Sequence, residues 1–420
     1  MSEPLPIAPR AASGRPPRVA VVHDWLVRMD GSVRTLAEIL RCFPQAELYA
    51  LVDFLPAADR APLGGRVART SFLQRMPFIQ RLYWYYLPLM PFAVEQLDLR
   101  GYDLVISSSS NVAKGVVVGP DQVHVSYVYS PMRFVWELQG HYLERFGWNR
   151  GPKRWLAAAA FHRLRQWDRG STHGVDLLLT TSAYVARRIQ KAYRRPATVV
   201  HPPVDTDRFV PGGRRRGYYL TAAYMNPFKN VELILRAFAR LPDRELVVVG
   251  DGPERDRLRR MAPPNATFLG AVDDAALVGL MQEARAFVYA APEDFGIVLA
   301  EAQACGTPVI ALGVGGACEI VRGLDDAAPT GVLYDDPTPA ALVDAVARFE
   351  AAEGAIRPEA CRENALRFHA SVFRRRLVEC VSGAAPHLLP PAAPDVLAPG
   401  PADVLAPGPA DALAPGSMDP

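Results

Sequence analysis

Residues 286–310, Ala-Phe-Val-Tyr-Ala-Ala-Pro-Glu-Asp-Phe-Gly-Ile-Val-Leu-Ala-Glu-Ala-Gln-Ala-Cys-Gly-Thr-Pro-Val-Ile, constrain the fold more than any other stretch. The apolar run 286–290 has the length and composition of a buried strand. A Pro-Glu-Asp-Phe-Gly turn follows, then residues 297–304, rich in helix formers and stopped by Gly306 and Pro308. Residues 309–312 begin another strand. The stretch reads as one β-turn-α-β unit of an α/β chain. It carries two carboxylates, Glu293 and Glu301, spaced eight apart. Glu293 falls in the loop at a strand's carboxyl end, where open α/β sheets bind ligands. Glu301 falls roughly one and a half turns into the helix, at about 1.5 Å of rise per residue. Both can therefore face one cleft at different depths. Between them, the backbone N–H groups from Gly296 to Leu299 form a positive helix N-terminus suited to a phosphate. An anion flanked by two hydroxyl-binding carboxylates is what a nucleotide-sugar requires. The competing reading leaves Glu293 on a surface loop and Glu301 on a solvated helix face.

The same residues carry a resemblance. Glu293-Asp-Phe-Gly-Ile-Val-Leu-Ala-Glu301-Ala-Gln-Ala-Cys-Gly-Thr-Pro-Val-Ile, followed by Gly313-Val-Gly-Gly-Ala-Cys-Glu319, resembles the E-x7-E signature of family-4 retaining glycosyltransferases. The resemblance runs from about residue 18 to 383 and is strongest at 125–137 and 286–319. It implies a GT-B fold, in which two Rossmann-like domains face each other across a cleft and the second holds most of the nucleotide. The expected organisation is a disordered N-terminus (1–16), an acceptor domain (17–197), a nucleotide-sugar domain (198–370), a helix crossing back onto the first domain (371–385) and a tail (386–420). That tail repeats Asp-Val-Leu-Ala-Pro-Gly-Pro-Ala, and its Pro and Gly content predicts disorder.

Composition bounds the rest. Half of the 420 residues are hydrophobic and the net charge is +3, enough for one or two buried cores and against a dedicated nucleic-acid binder. The five cysteines, at 42, 305, 318, 361 and 380, lack metal-ligand spacing and read as reduced thiols of a cytosolic protein. No signal-peptide pattern opens the chain, and no apolar run approaches the ~20 residues of a membrane span. The expected location is the cytoplasm, with peripheral contact at the inner membrane surface.

In chain order, residues 18–24 read as a buried strand, followed by Gly31-Ser32 and an amphipathic helix over 33–41. Relatives have a Gly-Gly pair here and an acid two positions on, where this chain has Arg34. Gly31 is expected to line the cleft. Residues 70–97 are the most aromatic part of the chain, interrupted by Arg75, Arg81, Pro77, Pro88 and Pro91. They suit either a membrane interface or a buried helix pair, one for each face. Ser130-Pro-Met-Arg-Phe-Val-Trp-Glu137 resembles the Pro-Met-Arg-Tyr-x-Trp-Asp element of bacterial O-antigen and exopolysaccharide mannosyltransferases. Those relatives place a histidine two residues before the proline. Here that position is Tyr129, which titrates near ~10 and makes a poor base at neutral pH. The basic run 139–172 reads as a solvated face or as a contact for anionic lipid or an acceptor diphosphate.

In the second domain, relatives grip the donor diphosphate with an arginine and, five positions later, a lysine; this chain has Tyr224 and Lys229. Val249-Gly250-Asp-Gly252-Pro resembles the family's turn beside the nucleotide, and relatives hold the base through backbone groups around the position of Val272.

The resemblance implies a retaining hexosyltransferase with GDP-mannose as the favoured donor and a lipid-linked oligosaccharide of bacterial surface-polysaccharide synthesis as acceptor. Glu293 is assigned to donor-sugar hydroxyls, with Tyr129 as the second catalytic candidate, and Glu301 to the ribose. The backbone of Phe295, Gly296, Ile297 and Val298 is assigned to the sugar or phosphate, and Lys229 to the diphosphate. Gly31, Gly250, Gly252 and Val272 complete the donor site. No cofactor and no metal are required, because Lys229 and the helix N-terminus can hold the charge. The alternative is a catalytically degenerate GT-B protein that serves a glycosyltransferase complex as a binding subunit, suggested by Arg34, Tyr129 and Tyr224.

Overall fold

The computed structural model describes residues 15–389 apart from 146, 149 and 214; residues 1–14 and 390–420, where disorder is expected, lie outside them. At both margins the described residues reach past the expected boundaries. Arg15 pairs with Asp103 at 3.3 Å, and Leu388 and Leu389 pack against the first domain's core.

Short runs rich in Val, Ile, Leu, Ala and Tyr form most of the central strands, which are buried on both faces because helices cover both sides of each sheet. The first sheet contains β1 (Val19–His23), β2 (Glu47–Ala50), β3 (Arg69–Thr70), β4 (Leu104–Ser109), β5 (Val123–Val128), β6 (Leu177–Thr180) and β7 (Thr198–Val199). Its order is β3-β2-β1-β4-β5-β6-β7. The second contains β8 (Tyr219–Ala222), β9 (Leu246–Val249), β10 (Ala266–Gly270), β11 (Ala286–Tyr289), β12 (Val309–Leu312) and β13 (Gly331–Tyr334), ordered β10-β9-β8-β11-β12-β13. Among the described residues, all strand pairs of the two sheets are parallel. Both sheets share the 3-2-1-4-5-6 order of a Rossmann-like domain, with the topological switch beside the first strand. Side chains alternate between the two faces. Val19 and Val21 enter one core of the first domain, and Ala20 and Val22 the other.

β7 ends at Val199, so the first sheet takes in two residues that the sequence reading gave to the second domain. The chain returns at its end. The helix Ala370–Ala384 sends Phe373, Leu377, Val378 and Val381 into the first domain's core beside the helix Gly31–Cys42. Arg374 pairs there with Glu38 at 2.5 Å, and Phe373 meets Tyr127 edge to face at 5.7 Å. Outgoing and returning segments run together where Val204 N–H donates to Phe368 O at 2.8 Å.

Residues 70–97 form short helical turns between their prolines and have two faces. Leu73, Ile79, Met90, Ala93 and Val94 are buried, whereas Phe78 is 77% and Phe92 55% exposed. Among the described residues, no helix is long and apolar enough to cross a membrane.

Candidate functional site

The β-turn-α-β unit forms where the sequence places it, as β11, the helix Ile297–Ala304 and β12. Gly296 caps the helix with φ +99°, and a Cβ there would lie 3.0 Å from the Leu299 side chain. The Leu299 N–H turns back onto Gly296 O at 2.9 Å. The expected donor set of Gly296 to Leu299 therefore loses its last member. Gly296, Ile297 and Val298 keep N–H groups without a protein acceptor among the described residues.

Glu293 sits just before this N-terminus. Its Oε1 accepts from Lys229 Nζ at 2.5 Å and from the Tyr289 hydroxyl. Lys229 ends the turn Pro227–Lys229, which Asn226 caps by accepting from the Lys229 N–H at 3.1 Å. The Glu293 loop is docked by glycines: a Cβ on Gly315 would lie 2.1 Å from Glu293 O, and Gly316 N–H donates to that oxygen at 2.9 Å. Glu301 is only 8% exposed. Burial raises its carboxyl to about 7, against the pull of Arg34 Nη1 at 3.9 Å.

Gly250 and Gly252 have φ +125° and +151°, and a Cβ on either would strike the 223–225 backbone, at 1.9 Å and 2.5 Å respectively. Their requirement is close packing of this turn under Tyr224. Val272 lies half-buried between β10 and the helix Asp274–Glu283, against the second domain's core. The Phe295 side chain points inward, 5.1 Å from the Phe368 ring, which leaves its backbone at the loop.

Across the cleft the first domain differs from the sequence reading. Its helix begins at Gly31 instead of 33, because Asp30 caps it by accepting from Ser32 N–H at 2.8 Å and Val33 N–H at 3.0 Å. Those donors are consumed. Gly31 lines the cleft sterically: a Cβ there would lie 3.1 Å from Ile297 Cδ1. Arg34 reaches the second domain, pairing with Asp274 at 3.0 Å beside Glu301. Tyr129 is not placed as a base. Its hydroxyl donates to Ser32 O at 2.9 Å and shares a 2.9 Å hydrogen bond with Ser108 Oγ, and burial pushes the phenol well up. It braces the Gly31-Ser32 segment. Deeper still, Asp24 accepts from the N–H groups of Ser110, Asn111, Val112 and Ala113 at 2.6–2.9 Å.

Sequence reasoning missed the contacts that join the domains. Asp294, next to Glu293, pairs with Arg188 at 2.5 Å and Arg133 at 3.8 Å. Glu319 accepts from the N–H groups of Ala183 and Tyr184 and lies 3.0 Å from His201, which together hold its carboxyl down against burial. The adjacency of Asp294 to Glu293 was the one signal; Arg188 lies 106 positions away, beyond any local pattern. Among the described residues, no three His, Cys, Asp or Glu side chains group as a metal site would require.

Two Rossmann-like sheets with their carboxyl edges facing across this cleft define the GT-B fold. The chain superposes on Anabaena HepE in complex with UDP with a TM-score of 0.64 at 16% identity, covering 87% of this chain and all of that one. Sucrose-phosphate synthase from Thermosynechococcus elongatus gives 0.64 at 18%, covering 86% and 97%. Residues 206–368 match the family described as glycosyl transferases group 1. The chain is 31% identical over 263 residues to the GDP-mannose-dependent alpha-(1-6)-phosphatidylinositol monomannoside mannosyltransferase of Mycolicibacterium smegmatis, covering 51% of this chain and 64% of that protein. It is 37% identical over 164 residues to the D-inositol 3-phosphate glycosyltransferase of Mycobacterium sp. strain KMS. That match covers 33% of this chain, which spans 35% of the relative's length.

Proposed function

We propose that the protein is a retaining hexosyltransferase of the E-x7-E family 4. It takes mannose from GDP-mannose and adds it to a lipid-linked oligosaccharide of bacterial surface-polysaccharide synthesis, at the cytoplasmic membrane face. The observation that carries this reading is the Lys229–Glu293 pair beside the free N–H groups of Gly296, Ile297 and Val298, with Glu301 deeper in the same helix. Lys229 and the helix N-terminus would neutralise the diphosphate. Glu293 would accept from donor-sugar hydroxyls once Lys229 turns to phosphate, and Glu301 from the ribose. In the transfer, the sugar C1–O bond to the diphosphate breaks as the acceptor oxygen bonds C1 on the same face. The departing phosphate oxygen takes the acceptor proton, so no side-chain base is needed. This accords with a half-buried, protonated Tyr129. The donor assignment is supported by the similarity to the GDP-mannose-dependent mannosyltransferase of M. smegmatis and by the 130–137 element. The exposed Phe78, Tyr85 and Phe92 support membrane contact.

One observation favours the degenerate-subunit reading: Arg34 stands against Glu301, where a nucleotide ribose would have to bind. Calorimetry with GDP-mannose, UDP-glucose and UDP-N-acetylglucosamine separates the two. Binding of one donor that is lost in Glu301→Ala supports the transferase; no binding to any of them moves the assignment to the subunit.

A further inference from the structure

Arg28 lies on the first-domain loop between β1 and the helix Gly31–Cys42, and its guanidinium sits over the Tyr224 ring, 5.4 Å from the centroid. Tyr224 belongs to the second domain. It follows β8, stands five positions before Lys229, and rides on the 223–225 backbone that packs against Gly250 and Gly252. The contact therefore brings a first-domain cation to the carboxyl edge of the second sheet. The neighbouring cations are engaged: Arg34 by Asp274, Lys229 by Glu293, Arg188 by Asp294. Arg28 is exposed and has no carboxylate partner among the described residues. A cation held over a ring face spends no hydrogen bond on it, so its N–H donors stay available to another group. An aromatic ring is thus a support that orients the cation without neutralising it.

We propose that Arg28, held by Tyr224, is the second cation of the donor diphosphate site and binds the terminal phosphate from across the cleft. The inference rests on the transferase reading and deepens it. The site is then split between domains, with Lys229 and the Gly296–Val298 backbone on one wall and Arg28 on the other. A nucleoside diphosphate would engage both walls, whereas a monophosphate would engage the second domain alone.

The test is calorimetric titration of the full chain with GDP, UDP, GMP and UMP. Arg28→Ala is expected to weaken diphosphate binding about 10- to 100-fold, the effect of losing one charge-assisted contact, and to leave monophosphate binding unchanged. Adding Tyr224→Arg to Arg28→Ala, which supplies the cation from the second domain, is expected to restore diphosphate affinity. Unchanged diphosphate binding in Arg28→Ala, with Lys229→Ala still weakened, would overturn the Arg28 assignment and leave the donor site standing. An equal loss for mono- and diphosphates would also overturn it. Absence of binding by the unaltered protein would remove the transferase reading and this one together.

Discussion

The two domains share a strand order and treat their sheet edges in opposite ways. At the carboxyl edge of the first sheet, the exposed backbone donors are used internally. Asp24 takes four of them, Asp30 takes the Ser32 and Val33 N–H groups of the helix Gly31–Cys42, and Tyr129 fills the Ser32 carbonyl. At the same edge of the second sheet, the helix Ile297–Ala304 has no side-chain cap, and Gly296 in its place leaves the N-terminus open. An α/β switch point is a binding site by default. Whether it stays one depends on whether a nearby carboxylate of the chain occupies it. The first domain has become a wall, and the second has kept a socket.

The contrast can be broken most severely at Asp24. Asp24→Ala would strand four N–H groups, at ~1–3 kcal/mol for each unsatisfied donor. Denaturant unfolding should show a loss of at least about 4 kcal/mol. A chain of wild-type stability would show that the wall is not built on that carboxylate. Next comes Lys229→Ala. Because the Lys229–Glu293 pair is part-exposed, stability should move by less than about 1 kcal/mol. Donor binding, followed by calorimetry, should weaken about 10- to 100-fold. The reverse pattern would make Lys229 a structural residue.

A third effect is the pH dependence set by Glu301. Its carboxyl is raised to about 7 from an ordinary 4.5, so the folded protein binds the extra proton between those values. Stability contributed by Glu301 is therefore present at low pH and is lost as pH rises through about 7. Donor binding has the opposite sign, because the ionised carboxylate is the better acceptor for hydroxyls. Affinity should rise across neutrality in the wild type and stay flat in Glu301→Gln. A wild-type profile as flat as the variant's would remove Glu301 from the donor site. The smallest effect belongs to Tyr129→Phe. Loss of its hydrogen bonds should cost about 1–2 kcal/mol of stability and spare transfer activity. Loss of activity without loss of stability would return Tyr129 to the catalytic set.

Local pattern made the second domain legible. Apolar runs of strand length, Gly306 and Pro308 after a helix-forming segment, and the Glu293–Glu301 spacing all lie within 25 residues of one another, and the helix Ile297–Ala304 has the bounds read from them. The first domain's edge was less legible because its side chains act at long range. Asp24 meets its partners 86–89 positions later, and Tyr129 meets Ser32 97 positions earlier. Asp30 was a readable signal, an acid directly before Gly31-Ser32, and weighing it as an N-cap would have started the helix two residues sooner. Arg34 and Tyr224 looked like losses when taken singly. Their partners, Asp274 and Arg28, belong to the opposite domain and only the folded chain brings them together.

The returning helix Ala370–Ala384 bears on how the protein is made. Its Phe373, Leu377 and Val381 complete the core of a domain whose sheet is finished at Val199. During synthesis that core waits, with an apolar groove uncovered, while the whole second domain is translated. At ~5–20 residues per second the interval is roughly 10–40 s. Of the two domains, the one translated first is thus the last to close, and a chain cut short before residue 370 would leave the groove uncovered. Closure of the first domain's core therefore waits on synthesis of the helix Ala370–Ala384.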